Sequence, residues 1–128
     1  MIVDDDGDAR ELLAAVLEQR RATVFAADCA ARAFVLVERE QPDALISDIA
    51  MPDEDGYSLV ERVRALPRDK GGRTPSIAVT AQTGNADRER AMHAGFDAHF
   101  AKPIDVDSLV GKLVDICAAR DQRLHIVR

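Results

Sequence analysis

The stretch Asp43-Ala44-Leu45-Ile46-Ser47-Asp48-Ile49-Ala50-Met51-Pro52-Asp53-Glu54-Asp55-Gly56 decides the fold. Ala44 to Ser47 is a short apolar run, of the length and type of a strand buried on both faces. It delivers a carboxylate, Asp48, to its C-terminal tip. Pro52 and Gly56 then break the chain into a loop.

The flanking sequence repeats that unit. Upstream, Met1-Ile2-Val3 is a very short apolar run ending in Asp4-Asp5-Asp6. Ala9, Leu12, Leu13, Val16 and Leu17 then recur at helical spacing, and Asp6 is placed to cap that helix. Thr23-Val24-Phe25-Ala26 reads as a second strand. Asp28 reads as the cap of a helix with Ala30, Ala33, Phe34 and Val37 on one face, stopped at Gln41-Pro42. Downstream, Leu59, Val63 and Leu66 mark a third helix ending near Pro67. Ile77-Ala78-Val79 is a fourth strand ending at Thr80. A weakly apolar helix spans about Ala86 to Ala94, with Gly95 at its C-terminal cap. Ala98 to Ala101 is a fifth strand before Lys102-Pro103. Leu109, Val110, Leu113, Val114 and Cys117 stripe a last helix, interrupted by Gly111. Strand and helix alternate five times, so the fold class is α/β: a parallel sheet with helices on both faces. Right-handed crossovers favour the doubly wound strand order 2-1-3-4-5.

Composition sets bounds on function. The 128 residues suffice for one core, and the expected organisation is one domain over 1–120 with a tail or linker at 121–128. The first strand begins abruptly, as expected either of a piece of a longer protein or of a native short start. A net charge of −6 argues against direct binding to nucleic acid, which calls for a basic stripe. The two cysteines, Cys29 and Cys117, lack metal-type spacing and read as reduced small hydrophobes. No signal segment or membrane-length apolar run is seen, so the expected location is cytoplasmic, without direct membrane contact.

In an open parallel sheet, ligands bind beyond the C-terminal strand ends where the order reverses. Here that crevice lies between strands one and three. Asp4 and Asp5 end the first, Asp48 ends the third, and Thr80 and Lys102 fall on the same rim. An oxygen-only acid cluster suits a hard, partly hydrated cation, Mg²⁺. A lysine and a hydroxyl beside it suit phosphoryl oxygens. The acid runs Asp4-Asp5-Asp6-Gly7 and Asp53-Glu54-Asp55-Gly56 fail as calcium loops, because Ile2 and Met51 stand at the first ligand position. Asp6 is read as a helix cap, and Asp53, Glu54 and Asp55 as a solvated loop face.

Asp4-Asp5, Asp48, Met51-Pro52-x-x-Asp55-Gly56, Thr80-Ala81 and Lys102-Pro103 together resemble the receiver domain of two-component response regulators, from Met1 to about Ala118. The resemblance implies a flavodoxin-like (βα)5 three-layer fold. It implies that Asp48 takes a phosphoryl group from a histidine kinase or phosphotransfer protein. Mg²⁺, for which Mn²⁺ can substitute, would be held by the side chains of Asp5 and Asp48, the backbone carbonyl of Ala50, and Asp4 through a water. Thr80 and Lys102 would take the phosphoryl oxygens, and Pro103 would follow a cis peptide. His99 stands where the family usually carries Tyr or Phe, which makes it the candidate switch ring; the bland reading is an exposed histidine on an edge strand. The wording from Thr74 to Ala81 and from Gly95 to Asp105 is similar to receivers of hybrid sensor histidine kinases.

The resemblance implies a phosphorelay signalling module that loses its phosphoryl group slowly to water. Its output would be a changed surface on helix four, strand five and helix five. Its partners would be the kinase or phosphotransfer protein and an effector or attached domain, with room for a phosphorylation-dependent homodimer. A stand-alone regulator is one alternative. A haloacid-dehalogenase-like phosphatase with Asp4 as nucleophile is another, and a degenerate receiver that only binds is a third.

Overall fold

In the structure, a computed structural model, residues 1–81 and 84–127 are described, with side chains described through residue 118. The elements follow the alternation: β1 (Ile2–Val3), α1 (Gly7–Gln19), β2 (Ala26–Ala27), α2 (Ala30–Glu40), β3 (Leu45–Asp48), α3 (Gly56–Ala65), a 3-10 turn at Arg68–Lys70, β4 (Ser76–Thr80), α4 (Asn85–Ala94), β5 (Ala98–Ala101) and α5 (Val106–Val127). The sheet order is β2-β1-β3-β4-β5, and every pairing is parallel.

Successive residues of a strand point to opposite faces, and the core divides accordingly. Val3 and Leu45 join Ala33, Val37, Leu59 and Val63 on the side of α2 and α3. Their neighbours Ile2 and Ile46 join Leu17, Ile77, Val79 and Leu109 on the side of α1 and α5. A third cluster of Ile49, Tyr57, Val60, Ala78, Ala91 and Phe96 seats α4 against α3 and β4.

Three expectations are corrected. The second strand is Ala26–Ala27 rather than Thr23–Ala26, because only Ile2 and Val3 of β1 are there to pair with it. The cap position of α2 is held by Cys29, without a side-chain bond, while the Asp28 carboxylate lies 3.9 Å from Arg32. Leu12 is 68% exposed and Val114 61% exposed, so the apolar stripes of α1 and α5 are wider than the faces they bury. Asp6, by contrast, does cap α1, accepting from the amides of Asp8 and Ala9. In the terminal segment 121–128, the backbone of 121–127 continues α5, and residue 128 lies outside the described residues.

Gly111 lies inside α5. A Cβ built there meets nothing of this chain within 4 Å, so no packing within the domain requires a glycine at this position. Its cost is therefore uncompensated within the domain. Gly111→Ala is expected to stabilise the domain by about 0.5–1 kcal/mol, chiefly by narrowing the unfolded ensemble. The midpoint of urea unfolding should rise; an unchanged or lower midpoint would contradict this.

Nothing in the sequence singled out Arg64, yet it ties three segments together. Its guanidinium donates to the carbonyls of Thr74 at 2.7 Å, Gly72 at 3.1 Å and Gly95 at 3.0 Å, and to Asp97 Oδ2 at 3.1 Å. The same Asp97 oxygen accepts from the Ser76 amide at 2.8 Å, fixing the start of β4. Arg64→Met keeps much of the aliphatic stem, removes the donor to the Gly72 and Gly95 carbonyls, and leaves the Thr74 carbonyl with the Ser76 hydroxyl alone. We expect a loss on the order of 2–3 kcal/mol, read as a lower urea midpoint at unchanged slope.

Candidate functional site

Four of the five strands, β1, β3, β4 and β5, end on the C-terminal rim of the sheet in residues of the site. β1 stops at Val3 and β3 at Asp48, which buries Asp4 and Asp48 at 8% and 7% exposure while Asp5 stays exposed. Carboxylate oxygens of Asp4, Asp5 and Asp48 all lie within 4.8 Å of one another. Lys102, just past β5, places Nζ 3.1 Å from Asp48 Oδ2 and 3.3 Å from Asp4 Oδ2. The other oxygens of these two acids take backbone donors. Asp48 Oδ1 accepts from the Ile49 amide at 2.8 Å, and Asp4 Oδ1 from the Asp6 amide at 2.9 Å. The two buried acids thus have set orientations, while Asp5 completes the cluster from the exposed side.

The charges explain how these groups titrate. Burial pushes the Asp48 carboxyl above its ordinary range, and the neighbouring Asp4 adds to that. Lys102 and the Ile49 amide pull against it without winning. For Lys102, burial alone would lower the amine, but Asp48 and Asp4 outweigh burial and hold it raised. A buried acid that resists ionisation beside two other acids is a group that a cation would stabilise strongly. The donor set, three carboxylates with no nitrogen or sulfur, matches a hard cation such as Mg²⁺.

The loop after β3 is built to hold this rim. Asp55 caps α3, its Oδ1 accepting from the Ser58 amide at 2.9 Å, so it is not part of a solvated loop face. An aspartate just ahead of the apolar positions of a helix is a legible cap signal. Asp53 is exposed and takes a positive φ of 68°. The Glu54 carboxylate lies 2.7 Å from Arg62. Ala50 is exposed at the rim. The Gly56 amide donates to the Ile49 carbonyl at 2.9 Å, and a Cβ at Gly56 would lie 2.4 Å from the Asp48 carbonyl oxygen. Only a glycine lets the loop close this tightly on the acid-bearing strand.

Two further residues were not read from the sequence. Arg10, one helical turn into α1, donates to the Asp4 carbonyl at 2.8 Å and so braces the acidic turn. Tyr57, beside Gly56, is buried between α3 and α4. The remaining rim residues sit as follows. Thr80 is buried at the end of β4, and its carbonyl accepts from the Lys102 amide at 2.9 Å. The Lys102–Pro103 peptide is cis. His99, on β5 opposite Ala78, is half-buried with its Nε2 inside, which corrects the bland reading of an exposed edge histidine.

Comparisons with known proteins agree on one family. The model of the response regulator receiver domain matches residues 1–114. The chain is 44% identical over 119 residues to an uncharacterized 14.6 kDa protein in the sodA1 3' region of Leptolyngbya boryana, covering 93% of this chain and 89% of that one. It is 33% identical over 132 residues to hybrid signal transduction histidine kinase D of Dictyostelium discoideum, covering 98% of this chain but 8% of the kinase. Among solved structures, a response regulator from Chloroflexus aurantiacus superposes with a TM-score of 0.84 at 35% identity, covering 91% of this chain and 94% of that one. A CheY-like receiver domain protein from Methanospirillum hungatei gives 0.86 at 26% identity, covering 95% and 94%. No helix among the described residues is long and apolar enough to cross a membrane.

Proposed function

The chain belongs to the response regulator receiver domain family of two-component signalling proteins, and from that premise we propose that Asp48 is its phosphoacceptor. The observation that carries this reading is the placement of Asp48. It is a buried acid at a strand tip, oriented by the Ile49 amide and bridged to Asp4 by Lys102.

Receiver domains work with histidine kinases or phosphotransfer proteins and with effectors. In the proposed reaction, an Asp48 carboxylate oxygen attacks the phosphorus of a phosphohistidine. A P–O bond forms, the P–N bond breaks, and the leaving imidazole takes up a proton. Asp5, Asp48, the Ala50 carbonyl and Asp4 would hold Mg²⁺, with Mn²⁺ as substitute. When bound, the ion supplies positive charge to the phosphoryl oxygens. Lys102, already at the acceptor, exchanges its carboxylate partner for a phosphoryl oxygen. Thr80 donates its hydroxyl to another, and His99 is the candidate ring that follows Thr80. Slow hydrolysis of the acyl phosphate resets the domain. The proposed location is the cytoplasm, and a phosphorylation-dependent homodimer remains part of this reading.

The proposed setting is the receiver of a hybrid kinase. A second setting, a stand-alone regulator, is favoured by the 44% identity to a protein of which this chain covers 89%. The alternative of a phosphatase with Asp4 as nucleophile is set aside by the family match, and it leaves Asp48 without a role.

The test is labelling with acetyl phosphate. With Mg²⁺ the chain is expected to gain the mass of one phosphoryl group on Asp48, and chelation of the metal should abolish the gain. Absence of label, or label on Asp4, would overturn the reading.

A further inference from the structure

The helix α4 is loosely attached to the fold. Only Ala91 of its ten residues is buried, and Gly84 at its cap position brings no side-chain bond to its first turn. Its C-terminal end is better secured, because Arg64 grips the Gly95 carbonyl and the Asp97 carboxylate. Among the described residues, one residue of another helix meets its N-terminal half by a hydrogen bond and a cation–ring contact. Tyr57 is 6% exposed and packs with Ile49, Val60, Ala78, Ala91 and Phe96. Its hydroxyl donates to the Asp87 carbonyl at 3.5 Å, and the Arg90 guanidinium lies 4.2 Å from its ring centroid. Asp87, Arg90 and Ala91 stand at i, i+3 and i+4, the spacing of one helical face. A single ring therefore meets one face of α4 in three ways.

The same residue is fixed to the acceptor loop. Tyr57 directly follows Gly56, whose amide bonds the Ile49 carbonyl and whose Cα leaves no room against the Asp48 carbonyl. The ring thus springs from backbone that is referenced to the tip of β3. Two of its α4 contacts are weak: a hydrogen bond at the limit of length, and a cation–ring contact made by an exposed arginine. They can be broken without unfolding the cluster, whereas Ile49, Ala78 and Phe96 keep the ring in place.

We propose that Tyr57 is a coupling residue between the acceptor loop and α4. Resting on the reading of Asp48 as phosphoacceptor, the inference is that Asp48 modification shifts the N-terminal half of α4 off Tyr57. The Asp87 hydrogen bond and the Arg90 overlay are lost, and the C-terminal end, held by Arg64, acts as the pivot. Tyr57 is then a positioning residue that works through α4, on a route separate from Thr80 and His99.

The chain offers its own probe, since it has one tyrosine and no tryptophan, so intrinsic emission reports Tyr57 alone. Burial pushes the Tyr57 phenol up, which keeps it protonated at neutral pH. Beryllofluoride with Mg²⁺ is used as the phosphoryl mimic, and its binding is read independently by fluorine NMR. The wild type should show a change in tyrosine emission that Asp48→Asn lacks. Arg90→Ala, without beryllofluoride, should already show part of that change. Tyr57→Leu, which keeps the buried volume, should still bind beryllofluoride. Its amides from Asp87 to Ala91, however, should exchange as fast without the mimic as wild type does with it. Bound beryllofluoride with unchanged Tyr57 emission would overturn the coupling. So would a Tyr57→Leu variant whose α4 exchange still responds to the mimic as wild type does. If fluorine NMR shows no bound beryllofluoride in the wild type, the phosphoacceptor reading itself fails and takes this inference with it.

Discussion

Asp48→Asn is expected to reduce acetyl-phosphate labelling to background while the domain stays folded. The amide oxygen is a poor nucleophile at phosphorus and carries no charge, so the acyl phosphate cannot form. One of the three clustered carboxylates is also gone, so Mg²⁺ affinity should fall together with labelling. Folding should survive for two reasons. The ionised carboxylate at this position is disfavoured by burial, and Asn removes that charge at nearly constant volume. Lys102 keeps Asp4 at 3.3 Å and is itself partly open to solvent, so it is not left as a buried unpaired cation. Intact-mass measurement after labelling reads the first effect, and far-UV circular dichroism the second. A folded variant that still takes label at wild-type rate would sink Asp48 as acceptor; peptide mapping would then show which neighbour carries it.

Gly56→Ala should be the most damaging single methyl group in the domain's acceptor loop. The Cβ it adds lies 2.4 Å from the Asp48 carbonyl oxygen and 2.9 Å from the Ile49 Cα. Both are backbone atoms at the tip of β3, so no side chain can swing aside. The difficulty is space, since Gly56 is not among the glycines with a positive φ. The loop must retreat from the strand, which strains the Gly56 amide bond to the Ile49 carbonyl and displaces the Asp55 cap and Tyr57. We expect a loss of about 3 kcal/mol, at the upper end for overpacking because the obstacle is main chain. Labelling of the fraction that remains folded should fall as well, because the Ile49 amide that orients Asp48 belongs to the displaced segment. Urea midpoints and labelling rates measured side by side check this. A midpoint within experimental error of wild type would show that the loop yields more easily than the contact distances imply.

Much of the site was legible because its residues lie at strand ends. In a parallel sheet the C-terminal ends share one rim, so locating the apolar runs also located Asp4, Asp5, Asp48, Thr80 and Lys102 relative to one another. Periodicity performed less well where burial is partial. Leu12 and Val114 continue the apolar stripes of α1 and α5 and yet face outward, since a helix on an open sheet buries a face narrower than its apolar pattern. The second strand was misplaced because its length is set by what β1 offers for pairing, which its own residues do not encode.

The sequence by itself determined the α/β class, the strand order and the set of acids, hydroxyl and lysine on the rim, because these follow from short-range pattern and a chirality rule. Only the tertiary structure decided which donors each buried acid uses. The bridge of Lys102 to Asp4 and Asp48, the Arg10 brace on the Asp4 carbonyl and the four-bond grip of Arg64 all join residues distant in the fold's assembly or unmarked by any local pattern. The role of Tyr57 was hidden for the same reason. Its neighbours Asp87 and Arg90 lie on a helix whose own sequence shows almost no apolar face, so no periodicity could announce the contact. Such contacts depend on where helices come to rest on the sheet, and that is fixed by the packing of the whole core.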